Sequence, residues 1–113
     1  MLRPSPVLYT VPDGTSGAFL HANTGQVVSA SKPAVVGETL ELYAAGLSEG
    51  SLVPPQVSVG ARRARVLFFG DAPGYSGLNQ INFVVPDGIV AGVVAVRMDY
   101  LTRPSNQVTL AIQ

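Results

Sequence analysis

Glycine and proline interrupt this chain so often that no stretch of ten or more residues keeps a period near 3.6 without meeting one of them. Twelve glycines and nine prolines are spread over 113 residues. Proline lacks the amide donor that a helix interior needs, and glycine is entropically costly to order, so the elements between them are short and the turns many. Any helix longer than one or two turns is therefore excluded. What lies between the breaks alternates with a period of two, which in an extended chain places successive side chains on opposite faces.

The alternating runs predict the strands. Leu40, Leu42 and Ala44 alternate with Glu41 and Tyr43, and Val57 and Val59 flank Ser58. A strand is expected over residues 64–69, ended by the turn cluster Gly70-Asp71-Ala72-Pro73-Gly74. Ile81, Phe83 and Val85 alternate with Gln80 and Asn82 before Pro86-Asp87-Gly88, which makes Ile81 and Phe83 the expected centre of the core. The last two strands carry Val94, Val96, Met98 and Tyr100, then Val108, Leu110 and Ile112. Upstream, residues 18–21 and 26–29 flank Ala22-Asn23-Thr24-Gly25, a loop with the length and chemistry of a hairpin turn. Strands at intervals of roughly 8–12 residues with turn signals between them predict an all-β, immunoglobulin-like two-sheet β-sandwich with an N-terminal β-hairpin and no substantial helix. Residues 1–6 read as a leader or linker, and residues 7–113 as a single domain.

Composition limits the partners. Apolar residues make up 47% of the chain and charged residues only 12%, so a buried core is affordable and intrinsic disorder is excluded. Seven basic side chains balance seven acidic ones, leaving no net positive field to neutralise a phosphate backbone, so no nucleic-acid partner is expected. The chain has no cysteine, which removes disulfides, thiolate nucleophiles and thiolate zinc sites. The longest apolar run, residues 89–96, is far short of the roughly 20 residues that span a bilayer as a helix, so no membrane span is expected. The opening Met1-Leu2-Arg3-Pro4-Ser5-Pro6 lacks a charged segment followed by an apolar one. Two readings stay open there: a cytoplasmic protein, or a domain whose signal and upstream domains lie outside this sequence.

Three stretches carry a resemblance: residues 18–28, then Lys32-Pro33-Ala34-Val35-Val36-Gly37-Glu38, then Leu42-Tyr43-Ala44-Ala45-Gly46-Leu47. The second half adds residues 55–60, Val66-Leu67-Phe68-Phe69-Gly70, residues 72–82, Val84-Val85-Pro86-Asp87-Gly88 and Ser105-Asn106-Gln107-Val108-Thr109-Leu110. Together they resemble the uncharacterised C-terminal domain repeated across large secreted proteins of Acidobacteria, over roughly residues 6 to 113. The resemblance implies a fold similar to Ig-like domains of the IPT/TIG kind and a secreted or cell-surface location, with no activity to carry over. The chain departs from that pattern at Gly60-Ala61-Arg62-Arg63-Ala64-Arg65, at Ala91-Gly92-Val93-Val94 and at Asp99-Tyr100-Leu101-Thr102-Arg103-Pro104.

Chemistry-bearing residues are few. Gly46-Leu47-Ser48-Glu49-Gly50 matches the G-x-S-x-G string of a nucleophile elbow, but that turn needs a following helix and a later histidine, and the single histidine, His21, comes before it. No catalytic residue is assigned and the chain is not expected to be an enzyme. One imidazole without clustered ligands makes a poor metal site, so His21 is expected to be an ordinary exposed hairpin residue; no metal or cofactor is expected. Asp13, Asp71 and Asp87 each neighbour glycine in turn-like sequence and read as turn residues. The candidate ligand surface is Arg62, Arg63 and Arg65, whose guanidiniums can grip anions bidentately from a hairpin tip, together with Tyr75 as an aromatic platform for a sugar ring. Leu67, Val84 and Val93 alternate away from the core and suggest an apolar outer patch. The reading that follows is a non-catalytic Ig-like spacer, cap or interaction domain, with neighbouring domains, another protein or a second copy as partner. A carbohydrate-binding accessory module that takes polysaccharide is the alternative.

Overall fold

The computed structural model describes residues 6–10, 17–22, 24–46, 54–72, 78–100 and 103–113. Among these residues there is no helix, and the alternating runs form antiparallel strands. β3 (Thr39–Ala45) buries Leu40, Leu42 and Ala44 and leaves the residues between them half-buried. One of its sides pairs with β6 (Asn79–Val84), placing Leu40 opposite Phe83 and Leu42 opposite Ile81. The other side takes β1 (Val7–Leu8) at the Ala45 end and β2 (Phe19–His21) at the Thr39 end. The second sheet is centred on β7 (Gly92–Tyr100). It has β4 (Gln56–Val59) on one side, with β9 (Val108–Ile112) and the two-residue β8 (Arg103–Pro104) on the other.

Two seams join the sheets into a nearly closed, barrel-like sandwich. The first is β5 (Arg62–Asp71), in which Arg62, Arg63 and Ala64 pair with β4 and the residues from Arg65 onward pair with β6. A bulge takes up the change of sheet: Val66 faces Phe83 and Phe68 faces Asn82, with Leu67 the extra residue between them. The second seam is made by irregular chain on the far side. Gly17 N–H donates to the Thr109 carbonyl at 2.9 Å, Ala34 N–H to the Ala111 carbonyl at 2.9 Å, and Gln113 N–H to the Ala34 carbonyl at 2.8 Å. The Ala34 bridge to Ile112 is parallel. At the opposite end Asn106 acts as a piece of strand, its Oδ1 accepting from Leu8 N–H at 2.7 Å and its Nδ2 donating to the Leu8 carbonyl at 3.1 Å.

The core between the sheets is made of the inward rows of each strand. Phe19 and Phe83 meet edge to face, with ring centroids 5.9 Å apart and planes at 72°. Leu8, Leu40, Leu42, Ile81, Met98 and Leu110 close around them, each at most 1% exposed. The expected centre at Ile81 and Phe83 is observed. The upstream hairpin is observed too, through bonds from Val28 N–H to the Phe19 carbonyl and from His21 N–H to the Gln26 carbonyl, each 2.9 Å. The strand expected over residues 64–69 is longer at both ends, because its two ends have different partners: β4 supports Arg62 and Arg63, while β6 carries the pairing to Asp71.

The β4–β5 hairpin turns through Gly60 and Ala61, with φ of 55° and 67°. Positive φ at both central residues is the type I′ geometry, whose twist matches that of the flanking strands. Glycine accepts this conformation, whereas the Cβ of Ala61 meets a left-handed penalty of about 1 kcal/mol. Ala61→Gly is expected to raise the unfolding free energy by about 0.5 kcal/mol, after the entropy of the freer unfolded chain is subtracted. A higher urea midpoint at unchanged m-value shows it; a lower midpoint contradicts it.

Candidate binding surface

The register of the β4–β5 hairpin decides where the three arginines go. Arg62 stands opposite Val59, which is fully buried, so Arg62 leaves β5 on the core side. Its guanidinium lies over Gly88 at the end of the sandwich: a Cβ at Gly88 would come within 2.9 Å of Arg62 Cζ. Arg63 stands opposite Ser58 and Arg65 opposite Val84, both on outward rows. Arg62 therefore parts from Arg63 and Arg65, and the three do not converge at a hairpin tip. Arg62 and Arg63 line an open hollow of 670 Å³ with Gly60, Ala61, Pro86 and Asp87, in which the Asp87 carboxylate opposes anion binding. Tyr75, the aromatic candidate, lies outside the described residues, as do Ser48 and Asp13.

His21 differs from its expected exposed state. Its side chain is 12% exposed, and Nδ1 is paired with the carboxylate of Glu38. Nε2 faces the Lys32 carbonyl at 3.1 Å, and the second Glu38 oxygen accepts from Val35 N–H at 3.0 Å. Lys32 Nζ in turn donates to Gln26 Oε1 at 3.0 Å. Sequence position hides this group because the partners of His21 are 11 and 17 residues away. Beside it is an open hollow of 680 Å³, but its polar walls are bonded to one another, so it reads as a brace for the chain between β2 and β3. Among the described residues no group of three or more His, Cys, Asp or Glu is placed to hold a metal ion. Asp71 uses Oδ1 to accept from Asn79 Nδ2 at 3.2 Å across the β5–β6 ladder.

The expected apolar patch does not form as one surface. Leu67, 51% exposed, is the bulge residue of β5 beside β6, whereas Val93, 73% exposed, is on β7 beside β9 in the other sheet.

A second constellation is built on the outer face of the sheet containing β4 and β7. Ser58 stands between Arg63 on β5 and Arg97 on β7, a cross-strand row of three. Neighbouring strands are about 4.8 Å apart, so the two arginines leave the backbone roughly 10 Å from each other. Gln107 Oε1 accepts from Arg97 Nε at 3.0 Å and from Nη2 at 2.8 Å, which fixes the plane of that guanidinium. A small hollow of 220 Å³ lies here, lined by Ser58, Ala61, Ala95, Arg97 and Gln107. Alternation alone marks Ser58 and Arg97 as outward-facing, but their adjacency depends on a β4–β7 register formed across some 40 residues of chain, roughly a third of the sequence. No known family model matches the chain, and no curated protein matches it in sequence.

Proposed function

We propose that the chain is a non-catalytic, immunoglobulin-like module that acts as a spacer, cap or protein-interaction domain at the C-terminal end of a larger secreted or surface-bound bacterial protein. The strand order supports the Ig-like reading: β1-β3-β6-β5 in one sheet and β4-β7-β9 in the other, the arrangement such sandwiches share. The observation that carries the spacer role is the placement of the outermost strands. β1 pairs at the Ala45 end of β3, while Gln113, which follows β9, lies beside His21 and Glu38 next to its Thr39 end. The seven residues of β3 hold these poles roughly 20 Å apart. The two seams tie these poles into one body, so chain joined at β1 and a partner at the Gln113 pole are held apart. Neighbouring domains of the parent protein are the natural partners, with another protein or a second copy as further ones.

The test is a fusion with one folded reporter domain on each side. Small-angle scattering is expected to show the reporters held at one fixed separation that does not change between low and high salt. Reporters that collapse together, or a separation broad enough for a flexible linker, would overturn the spacer role. The non-catalytic reading fails separately if the purified chain hydrolyses a chromogenic ester and loses that activity in Ser48→Ala.

A further inference from the structure

We propose that the outer face of the β4–β7 sheet binds an acidic sugar, a carboxylate or sulfate group carried on a polysaccharide, with Arg97, Arg63 and Ser58 as the binding side chains. The inference goes beyond the spacer role and stands independently of it. In a chain with equal numbers of acidic and basic residues, four of the six arginines, Arg62, Arg63, Arg65 and Arg97, belong to β5 and β7. Among the described residues Arg63 has no hydrogen bond or ion pair, and nor does the hydroxyl of Ser58, so their donors are available. Arg97 is held differently. Gln107 takes Nε and Nη2 through a single acceptor, which leaves Nη1 free in a guanidinium whose orientation is already set. Pre-setting that plane removes part of the ordering cost of binding, and a planar fork matches a carboxylate or sulfate better than a point charge does.

The surroundings narrow the ligand class. The hollow beside Arg97 has the Ala61 and Ala95 methyls as its apolar part, with the Ser58 hydroxyl and the Gln107 amide as its polar part. That mixture suits a ring with hydroxyls and one charged group. Arg63 lines the hollow at the end of the sandwich, and Ala61 lines both, so the two hollows adjoin. Asp99, two residues from Arg97 on the same outward row, confines the favourable field to the row of Arg97, Ser58 and Arg63. No aromatic side chain of β4, β7 or β9 faces outward: Tyr100 is buried, and these strands hold no other aromatic. The stacking platform typical of single-stranded nucleic-acid binding is therefore missing from this face. β4 and β7 are each paired on both sides, so a peptide cannot bind there by adding a strand.

Affinity electrophoresis of the whole chain through gels containing polygalacturonate, dextran sulfate or neutral dextran tests the proposal. Parallel runs contain polyglutamate or a single-stranded oligonucleotide. Retardation is expected with at least one of the two charged polysaccharides and not with neutral dextran. Arg97→Ala and Arg63→Ala should each weaken it about tenfold. Gln107→Ala, which leaves the charge unchanged, should weaken it severalfold by freeing the Arg97 plane; this separates a formed site from bulk attraction. These residues are at the surface, and an unchanged urea midpoint in each variant confirms that it is folded. No retardation by either charged polysaccharide overturns the proposal. So does retardation that survives both arginine variants, or equally strong retardation by polyglutamate or the oligonucleotide.

Discussion

Phe83→Ala lowers the unfolding free energy by about 3–5 kcal/mol. The ring is fully buried, faces Leu40 and Val66 across both of its neighbouring strands and meets Phe19 edge to face. Removing it takes away the transfer energy of a large apolar side chain and leaves a cavity that the paired backbones on either side cannot collapse to fill. A domain of this size is commonly stable by only 5–15 kcal/mol, so the variant loses a large fraction of its margin. Urea denaturation should show a much lower midpoint. Phe83→Leu, which keeps most of the volume, should recover more than half of the loss. A loss of unfolding free energy under about 1 kcal/mol for Phe83→Ala would mean that the two sheets do not pack through this ring.

Asn106→Ala carries the second largest effect, about 2–3 kcal/mol, although the side chain is at an exposed position. Among the described residues its amide is the one partner of the Leu8 N–H and carbonyl, on the side of β1 that faces away from β3, and the Leu8 side chain is 1% exposed. Alanine leaves one donor and one acceptor of a partly buried backbone without partners. Asn106→Asp separates the two bonds: it keeps the acceptor for Leu8 N–H but sets a second oxygen against the Leu8 carbonyl. Its destabilisation should be at least as great as that of alanine. Hydrogen exchange at the Leu8 amide is the direct readout, and protection that stays at the wild-type level in Asn106→Ala would contradict the account.

Alternation made the strand interiors legible, because the rows Leu40-Leu42-Ala44, Ile81-Phe83-Val85 and Val108-Leu110-Ile112 can satisfy a sandwich in only one orientation. The seams were not legible. β1 and β8 have two residues each, too few for a periodic signal, and Asn106 binds Leu8 across 98 positions. The parallel bridge at Ala34 comes from irregular chain that has no pattern to read. The arginines show the same limit. Their cluster was plain in the sequence, but which of them share a face depends on whether the β4–β5 turn has two residues, and that turn uses Ala61 where glycine or asparagine is the usual signal. Arg97 carries no such signal in the sequence, because its neighbours Ser58 and Gln107 come from separate strand and loop positions.

A sandwich closed along both seams should resist force as one unit between its poles. Single-molecule extension of the chain between flanking handles tests it most directly. Pulling along the strands loads β1 against β3 and β9 against Ala34 in shear, so many bonds must fail together. One abrupt rupture is expected, releasing roughly 350 Å of chain for residues 7–113. Gradual lengthening at low force, or release of β9 well before the rest, would contradict it.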